Sequence, residues 1–169
     1  MTLVYVLNKD KKPLNLKKRG KFMDKNNNSL FYTCSLIEFI SRQTRNNRKD
    51  VVEYLGDDLE RIYNYEDVFH CEPIEKVADD FITRNNIPDG EFDNISSCKY
   101  NVPDYWEIGE VFERLIEDNY EKEDVFNGIR EVYSSWIAEK ILNFNSDLYY
   151  QSREYLAECY RTGKIIISW

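Results

Sequence analysis

Apolar residues recur along most of this chain at intervals of three and four, the period of a helix with one face turned inward. Leu30, Cys34, Ile37 and Ser41 fall on one side of such a helix, with Phe31 and Ile40 beside them. Asn28 or Ser29 is placed to cap its start, and Asn46-Asn47 ends it. Residues 50–55 make a short helix stopped by Gly56, a residue that tolerates the left-handed cap. Asp57-Asp58 opens the next helix, with acid at the positive end of the dipole and Leu59, Ile62 and Tyr63 facing inward. Pro73 suits a first helical position, and Ile74, Val77, Ala78, Phe81 and Ile82 form the apolar stripe that follows. Residues 85–104 contain Pro88-Asp89-Gly90, Ser96-Ser97 and Pro103 and read as an ordered connector. Helical patterning resumes over residues 105–117, 124–133, 134–143 and 151–160, and Gly163 ends the last helix.

The second set of helices looks like a copy of the first. A shift of 79 positions brings Ile62 onto Ile141, Asn64 onto Asn143, Glu75 onto Glu154 and Ala78 onto Ala157. In the same register Tyr65 meets Phe144, Phe69 meets Leu148, His70 meets Tyr149 and Glu72 meets Gln151. Upstream the register slips by a few residues: Asp50-Val51-Val52 with Leu55 matches Asp124-Val125-Phe126 with Ile129, and Leu36-Ile37-Glu38 with Ile40 matches Val111-Phe112-Glu113 with Leu115. The matches keep their order along the chain, which predicts an internal duplication.

Residues 3–7 are β-branched and aromatic, and residues 164–169 carry Ile165-Ile166-Ile167. Both read as strands, and pairing them would protect an otherwise aggregation-prone edge. The expected fold is therefore mainly α: two pseudo-repeated helical units packed together, with a small β element from the chain termini. Its parts are an N-terminal strand, hairpin and basic linker (residues 1–28), a first repeat (29–85), a connector (86–104), a second repeat (105–163) and a C-terminal strand (164–169).

Composition narrows the chemistry. The chain has 169 residues, 42% of them apolar, with 25 aromatics and only six glycines and four prolines, which favours long helices around a real core. The net charge is −8 but uneven. Residues 1–28 hold eight Lys/Arg against two Asp/Glu, and residues 29–169 hold 15 against 29. An acidic body repels nucleic acid and suits a basic partner, so direct nucleic-acid binding is expected only through the basic residues 17–21, Lys17-Lys18-Arg19-Gly20-Lys21. Cys34, Cys71, Cys98 and Cys159 form no C-x-x-C pair, and His70 is the single histidine, so the spacing predicts no metal site and no cofactor. Cys34, Cys71 and Cys159 are expected to pack as small apolar residues. The opening apolar run is too short and too poorly flanked for a signal peptide, no segment approaches transmembrane length, and a reducing, cytoplasmic setting is expected.

Two resemblances add to this. Val4-Tyr5-Val6-Leu7-Asn8-Lys9-Asp10-Lys11-Lys12-Pro13-Leu14 resembles the opening of the RRXRR-type domain of certain guide-RNA-dependent nucleases. The match then stops, and the acidic nuclease segment is absent, so no catalytic residue is carried over. Cys34-Ser35-Leu36-Ile37-Glu38, Val52-Glu53-Tyr54-Leu55, the corner from Tyr65 to Cys71 and Lys76-Val77-Ala78-Asp79-Asp80-Phe81-Ile82 together resemble a small bacterial three-helix domain family of unknown function. The corner departs from that family by one extra residue and by Cys71 in place of threonine. Members of this family are often encoded beside ADP-ribosyltransferase-like toxins, so the resemblance implies an antitoxin or accessory protein.

No catalytic residue is assigned. His70 stands near Asp67 and Glu72, as a general base requires, but its match in the second copy is Tyr149, and a ring bonded to backbone at a helix corner suits both. Trp106, beside Tyr105 and near Phe112, suits either an exposed hot spot or, preferably, an anchor for the second repeat. The candidate interaction or corner residues are His70, Tyr149, Trp106 and Tyr65. The leading expectation is a non-enzymatic protein-interaction module, an antitoxin-like neutraliser of a toxin with a basic surface. The alternatives are a phage-type inhibitor that mimics nucleic acid, such as an anti-CRISPR protein, and an enzyme using His70.

Overall fold

The computed structural model describes residues 27–167, and among them nine α-helices are the whole of the regular structure apart from two single 3₁₀ turns. Helix α1 is Asn28–Thr44, α2 Arg48–Leu55, α3 Asp58–Asn64, α4 Glu66–Phe69 and α5 Ile74–Arg84. After the connector come α6 Tyr105–Asn119, α7 Val125–Tyr133, α8 Trp136–Ile141 and α9 Arg153–Thr162, with the 3₁₀ turns at Lys122–Asp124 and Leu148–Tyr150. Leaving the Lys122–Asp124 turn aside, the order of elements is alike before and after the connector: one long helix, two shorter ones, a single turn and a closing helix.

The helix ends follow local chemistry. The Asn27 side chain accepts the Leu30 N–H at 3.1 Å and caps α1, one residue before the expected caps. Asp104 and Glu107 form a reciprocal capping box at α6: Asp104 accepts the Glu107 N–H at 2.8 Å, and Glu107 accepts the Asp104 N–H at 2.7 Å. Pro73 stands just before α5 rather than in its first position. Gly163 closes α9 in the left-handed conformation, with φ 71°.

The core is centred where α1 lies against α6, the most extensive helix pairing among the described residues. Leu36, Ile37 and Ile40 from α1 and Phe112, Leu115 and Ile116 from α6 are all buried there. Removing each from water contributes about 1.5–3 kcal/mol before entropy is counted. The helices touch at Ser35 and Gly109: a Cβ on Gly109 would lie within 2.9 Å of the Ser35 backbone nitrogen, so only glycine permits this approach. The Phe112 ring stacks on Tyr133 of α7 at 4.4 Å. Helices α2 and α7 also pack together, and Tyr63 meets Phe126 edge-on at 5.3 Å.

The expected terminal β element is not found among the described residues. Residues 165–167 run without strand structure, and residues 3–7, the expected partner, lie outside the described residues, as do the hairpin and basic linker. Instead the Tyr155 hydroxyl donates to the Ile166 carbonyl at 2.9 Å, which holds the tail against α9. No helix among the described residues is long and apolar enough to cross a membrane.

The connector is a strap. The Gly90 and Phe92 N–H groups donate to the Thr44 and Arg45 carbonyls at 2.7 and 2.8 Å, satisfying the C-terminal end of α1. Farther along, Asn94 Nδ2 donates to the Leu142 carbonyl at 2.8 Å. The Lys99 N–H donates to Asn145 Oδ1 at 2.8 Å, and Asn145 Nδ2 donates to the Ser97 carbonyl at 2.9 Å. One loop therefore joins the end of α1 to the turn after α8.

Candidate functional site

The turn between α3 and α5 is the first candidate. It is exposed: Tyr65 and Val68 keep 57% and 59% of their surface accessible, and Cys71, expected inside, is on the surface. The reason is the α4 turn itself. It is a single helical turn whose one inward ring, Phe69, meets Phe81 edge-on at 5.3 Å, which leaves its neighbours in solvent. His70 is also exposed, with Nδ1 3.7 Å from a Glu66 carboxylate oxygen. The Tyr32 hydroxyl reaches the Phe69 carbonyl at 3.5 Å, and the Tyr32 and His70 rings are 6.0 Å apart. Burial, aided by the nearby Glu66 and Glu72 carboxylates, pushes the Tyr32 phenol up to about 12. Between residues 57 and 80 stand nine Asp/Glu against two Lys/Arg, so exposed apolar groups sit within a strongly acidic surface.

Trp106 is elsewhere, on α6, partly buried against Phe31 at 5.5 Å and Tyr32 at 6.4 Å. It anchors α6 on α1, and through Tyr32 its ring lies two steps from His70. Tyr149 stands in the other turn, before α9. It is buried between Phe144 and Tyr150, with ring centroids at 5.9 and 4.0 Å, and its hydroxyl has no hydrogen-bond partner among the described residues. Burial and then Tyr150 push the Tyr149 phenol up. Neither the His70 nor the Tyr149 side chain makes the expected corner bond to backbone among the described residues. His70 lines neither of two clefts among the described residues.

One cleft, about 260 Å³, runs between α6 and α9 and is lined by Glu107, Glu110, Arg114, Tyr149, Tyr150 and Arg153 among others. Its cations are engaged: Arg114 pairs with Glu110 at 2.5 Å, and Arg153 with Asp118 at 2.7 Å and Glu117 at 3.2 Å. The other, about 330 Å³, lies at the end of α1 and holds Arg42, Arg45 and Arg48. Arg48 is 1% exposed and grips Glu38 with two bonds, at 2.6 and 2.7 Å. Arg42 adds a third at 2.9 Å. Burial alone would raise the Glu38 carboxyl, but the two guanidinium groups outweigh it and hold it below the usual range. Sequence patterning does not single out these arginines. Glu38 and Arg42 show helical i,i+4 spacing, but Arg48 reaches Glu38 across a turn that no periodicity records.

At the matched position of α6, Glu113 is also buried but has no such clamp. Burial, then the Glu117 carboxylate, raises it to about 8 against the pull of Arg153. No three His, Cys, Asp or Glu side chains among the described residues come together as a metal-ligand set. Compared with known proteins, the chain matches no family model, no curated protein and no solved structure.

Proposed function

We propose that the protein is a non-enzymatic interaction module that neutralises or regulates a protein partner with a basic surface, a bacterial toxin being the partner that the family resemblance implies. In this reading two pseudo-repeated helical units, derived from one ancestral unit, pack through α1 and α6, and the α3–α5 turn carries the interaction. The observation that supports it is the pairing of Tyr65 and Val68, both more than half exposed, with the acidic excess of residues 57–80. Such a surface steers a basic partner by charge and then holds it by apolar docking around an aromatic anchor. The test is a tagged pull-down from the native host's lysate, with and without nuclease. The reading expects a stoichiometric basic protein that survives nuclease, and a blank would reject it.

A nucleic-acid mimic is the second reading. It is favoured by Glu75 and Asp79, exposed about one 5.4 Å turn apart on α5, with Glu72 exposed just before the helix. Recovery of a nucleoprotein effector in the same pull-down would favour it over the neutraliser.

A further inference from the structure

We propose that the arginine cleft at the C-terminal end of α1 binds a small organic oxyanion, with its carboxylate or phosphoryl group on the guanidinium groups and its apolar body against Phe92. The cleft gathers Arg42, Arg45 and Arg48 against two carboxylates, Glu38 and Asp93. That leaves a cationic surplus in a body where acid outnumbers base by 29 to 15 over residues 29–169. Both carboxylates are already in use. Glu38 is shared by two arginines. Asp93 accepts the Ile95 and Ser96 N–H groups, each at 3.0 Å, and the Ser96 hydroxyl at 2.5 Å. The hydroxyl bond and then the two N–H groups bring its carboxyl down to about 2.

The arginines, by contrast, have donors to spare. Arg48 uses Nε and Nη2 on Glu38, and Arg42 uses Nε on Glu38 and Nη2 on the Pro103 carbonyl at 2.7 Å. Neither Nη1 makes a hydrogen bond within the described residues. A guanidinium fork matches the paired oxygens of a carboxylate or phosphoryl group, which makes these groups the complementary ligand chemistry. About 330 Å³ exceeds what a lone ion fills. Phe92, partly exposed and lining the cleft, carries the Arg48 guanidinium over its ring at 5.4 Å and leaves its remaining edge to the rest of the ligand.

Arg45 is the residue that folding alone does not explain. It sits at the α1 C-cap with φ 56° and ψ 42°, the left-handed state that glycine or asparagine occupies most easily. Its side chain is 60% exposed and only loosely placed, 3.8 Å from Asp93. A long cation held at a strained position on the rim of an arginine cleft is poised to close on an anion.

The test uses the full chain, titrated with phenyl phosphate and with benzoate, and with benzyl alcohol as the neutral control. Calorimetry gives the affinity, and the Nε–H signals of Arg42 and Arg48 in NMR report the place. The proposal expects saturable binding of at least one anion, with both signals shifting. The tighter anion tells a phosphoryl from a carboxylate ligand. Arg45→Gly should weaken binding about tenfold while the ligand-free protein melts no lower than the wild type. Arg45→Gln, which keeps the side chain's length and removes its charge, should weaken it likewise. No saturable binding of either anion, equal affinity for benzyl alcohol, or unchanged affinity in both variants would overturn the proposal.

Discussion

The turn before α5 and the turn before α9, aligned by the expected duplication, differ in exposure: one is open and the other is largely covered. Tyr65 is 57% exposed, and its counterpart Phe144 is 1% exposed; Phe69 and Leu148 are both turned inward, but His70 is on the surface while Tyr149 is buried. The cause lies in the connector. Residues 94–99 are bonded to residues 142–145 and cover the second turn, and the Arg42 guanidinium lies 5.6 Å from the Phe144 ring centre. No described segment does this for the first turn. Similar sequence at two corners can thus serve packing in one place and leave an exposed surface in the other. The difference is set by what the chain lays over each.

The largest effect expected from breaking this comparison is at the sealed corner. Phe144→Ala should cost about 3–5 kcal/mol in urea unfolding, because it opens a cavity under the strap. A loss below about 1 kcal/mol would mean that the strap does not depend on the ring. Next is the seam common to both halves. Gly109→Ala pushes a methyl group into Ser35, including its backbone, and should destabilise by about 3 kcal/mol, since a helix backbone yields less than a side chain.

The paired glutamates give a smaller, pH-dependent contrast. Glu113 keeps its proton in the folded chain up to about 8, whereas an unfolded glutamate releases it near about 4.3. The folded state therefore binds more protons between those values, and stability falls as pH rises through that window, then levels off. Glu113→Gln should remove this slope. It should gain about 1–3 kcal/mol at pH 8, a figure reduced from the full shift for screening by Arg153 and solvent, and almost nothing at pH 4. Glu38 has the opposite sign. Its clamp stabilises the fold above the unfolded carboxylate's value and is lost as pH falls through its lowered folded value, so Glu38→Gln should cost stability at pH 7 and progressively less in acid. Matching pH profiles for the two variants would erase the distinction. The smallest stability effect belongs to the open corner: Tyr65→Ala should change unfolding by less than about 0.5 kcal/mol.

Helix positions were legible in the sequence because a burial stripe is a local, periodic signal. The stripe of Ile74, Val77, Ala78 and Phe81 is the buried face of α5, and α7 spans residues close to those expected. The capping box of Asp104 and Glu107 has a sequence signal, an acid three residues before a glutamate, but it was not among the expected caps. What escaped were features made by distant residues meeting. Arg48 looks like a solvated charge beside Lys49 and Asp50 and proves to be buried on Glu38. Cys71 lies in an apolar-looking run yet is exposed, because a single-turn helix cannot bury both sides. Ile165-Ile166-Ile167 has strand composition, but residues 165–167 pair with no neighbouring strand within the described chain, and composition alone does not make one. Of the four candidate residues, the structure brings Trp106 and His70 to either side of Tyr32, leaves Tyr65 on the open turn and sets Tyr149 apart.

The central claim is that the open corner, and not the fold at large, takes the partner. The most direct measurement compares the captured partner's affinity for the wild type, for Tyr65→Ala with Val68→Ala, and for Tyr150→Ala, which removes a still more exposed ring at the edge of the covered corner. The account predicts at least about a tenfold loss for the double variant alone, with melting temperatures unchanged. Equal affinity for all three proteins would contradict it.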